Sequence, residues 1–500
     1  MTVPLPLPLD EQHLSSLPQA KRFNLRGLID CSTGHLSERQ SKVGGDISAL
    51  VCLSISFVGS GAYNYVYHLE FSDGTQLAAS VSRPSGAFEP DYSPAAKESE
   101  IATMRFVRES GLYPGVSVPQ VYAWNTNFEN PAGAPYVLME FIKGKAFNLA
   151  VRDDDPGWFH GLRAVPESQQ VALVKAMARL KASLSKPVPF SEIGSLAVDS
   201  SGTFSVGPLM AINGESLGGP YKSVEDMWRE SHEECLLGGI EECCYRTEKN
   251  LPSLEFERHT PHDLMDRYQK LSALIPYFKI PEPYTPLVLH HPDLALRNIF
   301  FDEESLLSDD PKVACVIDWS GAQILPLMLA SSFPLDMMTT FTSPGIALKG
   351  PAEMAWDDVP YDWTYFGDPD KTIVREGDSL SEAEAKRIRC EIRLFYLRGL
   401  FGAHYGQQIV KLHQGSDLPR ATVYLDAQYY LKFHEVMMGS FLGWIVHRHW
   451  ISEMYWRLRM MPTGNSASGE RLVVGPDVYR STIEPAVVDL GLFEDTPEET

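Results

Sequence analysis

The stretch LVLHHPDLALRNIFF, residues 287–301, sets His291, Asp293 and Asn298 on a short polar loop between two apolar runs. The apolar runs read as buried strands, with His290 at the end of the first. A carboxylate at 293 can orient an attacking hydroxyl or accept its proton. An asparagine oxygen five positions on can ligate Mg2+. Twenty residues after Asn298, VACVIDW (313–319) reads as an apolar strand ending in Asp318. A carboxylate there can bridge Mg2+ to the β- and γ-phosphates of a nucleotide. Either stretch alone also has a reading as a polar turn. The two together, in this order and flanked by apolar strands, predict the lower wall of a phosphoryl-transfer site.

Upstream, the pattern predicts an upper wall. VCLSISFV, YNYVYHLEF and LAASVSRP read as three strands, the last two joined by an Asp-Gly turn at SDGT. Between the first two lies Gly59-Ser60-Gly61-Ala62-Tyr63-Asn64-Tyr65-Val66. Small residues there let backbone approach a polyphosphate, so that amides can donate to its oxygens. AAKESEIATMRFVRESG has helical spacing, with Gly111 as its stop. VPQVYAWN and PYVLMEFIKG (135–144) read as two more strands, the second leaving backbone groups for an adenine edge. Beyond Gly144, amphipathic spacing predicts helices over 166–184, 222–249, 261–277, 381–412 and 420–460. The fold class is α+β: a small β-rich lobe with one helix over 46–144, and a larger, mostly helical lobe over 145–462. Residues 1–45 read as an arm with one short helix, and 463–500 as an acidic, loosely ordered tail.

The 500-residue chain carries a net charge of −22, which excludes sequence-independent binding to nucleic acid. A cationic small substrate suits such a surface. Seven cysteines, an odd number, make no disulfide framework. The start lacks the basic end and apolar run of a secretory signal, and the early Asp10 and Glu11 do not suit a mitochondrial presequence. The apolar run 436–446 is too short to span a bilayer. The expected setting is intracellular and soluble, cytoplasmic first and mitochondrial second, with the oligomeric state open. His232, Cys235, Cys243 and Cys244 read as buried groups, because adjacent cysteines cannot both face one way along a helix. The aromatic and basic run from Trp444 to Arg457 reads as a helix packing into the core, with a cavity for a cationic or planar group as the other reading.

Taken together, the chain resembles the aminoglycoside phosphotransferase family of the protein-kinase-like superfamily. The likeness is nearest to a fungal branch that includes a mitochondria-associated protein. It covers roughly residues 45–460 and is carried by FVGSGAYNYVYHLEFSDG, SEIATMRFVRESGLYPGVSVPQVYAW, APYVLMEFIKG, EIGSLAVDSSGTFSVGP, LVLHHPDLALRNIFFD and VACVIDWSGAQILPLMLASSFP. The resemblance implies a bilobal fold with ATP and Mg2+ in the cleft. It implies Asp293 as catalytic base or hydroxyl-orienting residue, and Asn298 and Asp318 as magnesium ligands. Gly59, Ser60, Gly61, Asn64 and Val66 would cover the phosphates, and the backbone of Glu140, Phe141 and Ile142 would face adenine. Glu100 falls where the family has the glutamate that pairs with a phosphate-contacting cation.

The strand position for that cation falls on Ser80, where relatives usually carry lysine or arginine. Glu100 is thus expected to lack a charged partner. Arg83 is three residues on and points to the opposite face unless a bulge or the kink at Pro84 turns it. Two functions follow. One is a small-molecule phosphotransferase moving the γ-phosphate of ATP to an acceptor hydroxyl. The other, motivated by Ser80, is a catalytically impaired kinase-like scaffold that binds nucleotide or another ligand. Protein kinase activity is not expected, because WSGAQILPL follows Asp318 in place of an activation segment.

Overall fold

The computed structural model describes residues 9–18, 22–43, 50–61, 63–83, 92–146, 161–249, 261–337, 382–412, 423–438, 451–452 and 454–456. Five strands form the upper sheet: β1 (Cys52–Ser60), β2 (Asn64–Phe71), β3 (Gln76–Ser82), β4 (Val121–Asn125) and β5 (Tyr136–Glu140). All neighbouring pairs are antiparallel, in the order β1-β2-β3-β5-β4. Side chains alternate between the two faces of a strand. Tyr65, Tyr67, Leu69, Leu77, Ala79 and Val81 therefore share one buried face. Asn64 and Val66 take the other face, opposite Ser82 and Ser80 respectively.

Helix α3 (Pro94–Glu109) connects β3 to β4. Ser93 caps it, its Oγ accepting from the Ala96 N–H at 3.2 Å, with Pro94 in the first turn. Gly111, at φ 72°, ends it in the left-handed region that glycine adopts freely. Ile101, Met104, Phe106 and Val107 bury its apolar side in the core of the helical lobe.

The N-terminal segment departs from the expectation of one short helix. It holds α1 (Glu11–Ser16) and the 19-residue α2 (Leu25–Val43). Leu25, Leu28, Ile29 and Leu36 pack into the same core as the Tyr65–Val81 face of the sheet. That face therefore does not meet water, and the segment completes the lobe. Contact is close: a Cβ at Gly27 would sit 1.9 Å from the Pro131 carbonyl oxygen.

The larger lobe contains α4 (Glu167–Leu184), α5 (Val224–Lys249), α6 (Pro261–Leu274), α7 (Leu327–Ala330), α8 (Glu382–Leu412) and α9 (Val423–Met437). Five of these start within three residues of the predicted positions. Shorter strands flank the 291–298 loop. β6 (Lys145–Ala146), β10 (Ile299–Phe301) and β11 (Val313–Val316) make one sheet, and β9 (Leu287–His290) pairs with β12 (Gln323–Pro326). The hairpin β7 (Ser195–Val198) and β8 (Phe204–Gly207) was not predicted as strands. Its turn is held by the Asp199 carboxylate, which accepts from the Ser201 and Thr203 N–H groups at 2.8 and 2.9 Å. Residues 457–500 and most of the 444–457 run lie outside the described residues, although Ile451 and Met454 are buried in the core and Trp456 is exposed. Among the described residues, no helix is long and apolar enough to cross a membrane.

Candidate active site

β9 and β10 hold the two ends of the 291–298 loop. Its last three residues, Leu296–Asn298, form one 3-10 turn, and the Leu296 N–H donates to Asp336 Oδ2 at 2.5 Å. Asn298 Nδ2 donates to the Asp293 carbonyl and to Asp293 Oδ2, each at 2.9 Å. This network assigns the amide orientation and leaves Asn298 Oδ1 as the side-chain atom able to ligate a cation. Arg297 Nη2 donates to the other Asp293 oxygen. The Asp293 carboxylate is thus held from two sides.

The Ile317 N–H donates to the Asn298 carbonyl at 2.9 Å, which ties the chain after β11 to the 291–298 loop. Asp318 was expected at a strand end. The strand stops at Val316, and Asp318 lies two residues beyond it at φ 61°. Among the described residues it is the one non-glycine in that region, a conformation aspartate tolerates better than most side chains. Its carboxyl pKa is pushed up to about 6, first by burial, then by the Glu100 and Asp293 carboxylates, with Lys97 opposing. The residue as a whole is exposed. The repulsion between like charges is therefore the part of this shift that the geometry supports most firmly.

His291 belongs to the scaffold. Its Nε2 lies 3.2 Å from the Ile317 carbonyl and its ring 4.7 Å from Trp319. Burial lowers its pKa to about 4, so it is neutral near pH 7 and donates through Nε2. His290 ends β9 as expected, and Lys181 Nζ lies 3.3 Å from its Nδ1.

On the upper wall, Ser80 is buried between Val66 and Val137 on the adjoining strands. The Arg83 guanidinium stacks over the Tyr65 ring, 4.7 Å from its centroid, on the opposite face from Ser80 as the strand period requires. The expectation that Glu100 lacks a charged partner is overturned. Lys97 Nζ lies 2.8 Å from Glu100 Oε2, with side chains only 9% and 11% exposed. Lys97 Nζ also donates to Asn64 Oδ1 at 3.3 Å, and Ser82 Oγ reaches the same oxygen at 3.4 Å. Ser320 Oγ donates to Glu100 Oε2 at 3.1 Å. The signal was in the sequence: Lys97 and Glu100 are spaced i,i+3 on one helix face.

The 59–66 segment is the β1–β2 turn, with Gly59 opposite Val66 and Ser60 opposite Tyr65. The Gly61 N–H donates to the Asn64 carbonyl at 3.0 Å, so this amide serves the turn itself. A Cβ at Gly59 or Gly61 would meet no protein atom within 4 Å. The chain's own packing does not demand glycine there, and the bare backbone leaves room for ligand atoms. The Glu140 N–H donates to the Gln120 carbonyl at 2.8 Å, and its side chain accepts from the Gln120 N–H at 3.1 Å. Glu140 can therefore offer adenine its carbonyl alone. Phe141 and Ile142 follow the end of β5, the Phe141 ring 3.9 Å from that of His68.

The other candidates separate from this site. His232 stacks on Tyr268 at 4.8 Å and contacts the Tyr268 carbonyl, and burial lowers its pKa to about 4. Cys235 is a free thiol on the same helix. The side chains of Cys243 and Cys244 lie outside the described residues.

The upper sheet is antiparallel within a mixed α+β fold, and Asp318 follows the backbone bond that ties Ile317 to the loop bearing Asp293 and Asn298. The chain belongs to the phosphotransferase enzyme family, whose model matches residues 54–328. It is 25% identical over 323 residues to a subtelomeric hrmA-associated cluster protein of Aspergillus fumigatus, covering 57% of this chain and 60% of that one. It is 24% identical over 208 residues to altered inheritance of mitochondria protein 9 of Yarrowia lipolytica, covering 42% of this chain and 34% of that one. The match thus spans at most 60% of these relatives' own length. Among solved structures it is similar to a macrolide 2'-phosphotransferase from Brachybacterium faecium, at 11% identity and TM-score 0.33 over 82% of this chain and 96% of that one. An aminoglycoside phosphotransferase from Alicyclobacillus acidocaldarius gives 11% identity and TM-score 0.29 over 81% and 91%.

Proposed function

We propose that the protein transfers the γ-phosphate of ATP to a hydroxyl of a small molecule, with Mg2+ at Asn298 and Asp318. One observation carries this reading: the Ile317–Asn298 backbone bond, 2.9 Å long, joins the metal-ligand candidates to the loop that holds Asp293. Two protein oxygens suit Mg2+, which keeps waters and takes further oxygens from phosphates. Among the described residues, no group of three or more His, Cys, Asp or Glu side chains offers a metal site made by protein alone. When bound, the metal supplies neutralisation of phosphate charge.

Asp293 is held by Arg297 and Asn298 so that its carboxylate can orient an acceptor hydroxyl and take its proton. The scaffold alternative started from Ser80 and an unpaired Glu100. Lys97 beside Glu100 answers the second of these points, while position 80 keeps its serine. The macrolide and aminoglycoside phosphotransferases above are named for small-molecule acceptors, and the net charge of −22 suits a cationic one here. The proposed setting is intracellular, with mitochondria the alternative that the relatives' names raise. Uptake of the full chain by isolated mitochondria checks that alternative.

Thermal unfolding with and without Mg-ATP tests the nucleotide reading. A ligand that binds only the folded state at about one hundred times its dissociation constant adds about 2.7 kcal/mol of stability. The expected result is a higher melting temperature with Mg-ATP. An unchanged melting temperature, with or without magnesium, contradicts it.

A further inference from the structure

We propose that Lys97, on α3, supplies the cation that holds the α- and β-phosphates of the nucleotide, in place of a strand residue at position 80. This rests on the ATP reading above and assigns a residue to it.

Three observations converge. First, the ammonium group lies against the correct face of the sheet. Ser80 and Ser82 are on the same side of β3, Asn64 stands opposite Ser82, and Lys97 Nζ is 3.3 Å from Asn64 Oδ1. Two residues along a strand cover about 7 Å, so Lys97 delivers its charge within one side-chain length of where a residue-80 cation would project. Second, the pair joins both walls of the cleft. Lys97 holds Asn64, at the end of the phosphate-covering turn, and Glu100 accepts from Ser320, two residues after Asp318. An i,i+3 pair serving only its own helix would gain more from solvent, where the two charges cost less to hold. Third, donor capacity remains. An ammonium carries three N–H bonds. Two are given to Glu100 and Asn64, which leaves one without a partner among the described residues.

The electrostatics require such a group. Glu100, Asp293 and Asp318 bring carboxylates to the site, and Lys97 Nζ stands 2.8 Å from the first of them. Arg83 is committed to the far face of the sheet. A polyphosphate brought against these carboxylates needs positive charge on the upper wall as well as metal on the lower one.

The test compares equilibrium binding of Mg-ATP with that of adenosine, which has no phosphates. The wild type is measured beside Lys97→Met. Because that change strands the Glu100 carboxylate and can unfold the helix, Lys97→Met with Glu100→Gln is measured too. Loss of one charge-assisted contact weakens Mg-ATP binding by about tenfold or more while adenosine stays within about twofold. Equal weakening of both ligands, or Mg-ATP binding as tight as wild type, overturns the proposal and leaves Lys97 a structural residue. A wild-type protein that binds adenosine but gains nothing from the phosphates overturns it as well. A wild-type protein that binds neither ligand brings down the ATP reading itself, and this assignment with it.

Discussion

Asp318 carries the pH dependence of the site. Its pKa is raised to about 6, so in the metal-free protein it holds a proton that an unfolded aspartate gives up near 4. Between those values the native state binds more protons, and stability of the metal-free protein falls as pH rises. Metal binding runs the other way, because the ion must displace that proton. Mg2+ affinity should therefore fall about tenfold per unit as pH drops below about 6. An isothermal titration that found equal affinity at pH 5 and pH 7.5 would remove Asp318 from the metal site. Lys181 behaves oppositely. It is buried on α4 against His290, and burial lowers its pKa to about 7. Above pH 7 the unfolded chain binds the extra proton, so stability rises with pH until the unfolded lysine titrates near 10.5. Buried Cys52 and Cys315, with raised pKa values, reverse the trend above about pH 9. The melting temperature should climb from pH 7 to about 8.5, and Lys181→Met should flatten that climb. A variant with an undiminished slope contradicts the assignment. Lys97 shows the limit of reading one residue at a time: only the folded chain brings Asn64 to its ammonium and Ser320 to its partner Glu100.

The elements were legible where sequence period and burial agree. β2 alternates half-buried and buried positions along its whole length, and the α3 boundaries are written as Ser93-Pro94 and Gly111. β6 and β12 were not legible, because strands of two and four residues are defined by partners far away in the chain. Helix α2 was hidden for another reason. Its apolar residues share one face, but Gly27, Ser32, Thr33 and Gly34 lower its intrinsic preference for helix. Tertiary packing against the sheet decides it. Gly27→Ala should gain about 1 kcal/mol of helix propensity. It should lose about 1–3 kcal/mol to overpacking against the Pro131 carbonyl. Urea unfolding is expected to show a net loss of stability, and a more stable variant would show that the helix does not approach that loop so closely.

At the scale of the molecule, the buried apolar residues form two cores. One lies between the N-terminal helices and the upper sheet; the other runs from α3 through the helical lobe. The conserved logic of such a site is that apolar scaffolds position a few polar groups which water would otherwise scatter. That is why the candidates for a lower wall stand out in the sequence: Asp293, Asn298 and Asp318 interrupt runs that are otherwise apolar. The Lys97–Glu100 pair does not stand out in this way, since it lies on a helix and meets Asn64 and Ser320 from distant parts of the chain. The central claim is that Asp293 handles the acceptor hydroxyl. It is tested most directly by ATP consumption over a panel of small hydroxyl compounds, comparing wild type with Asp293→Asn. The predicted result is turnover with at least one compound, lowered by about 10²–10⁴-fold in the variant while Mg-ATP binding persists. Turnover undiminished by the substitution would contradict it.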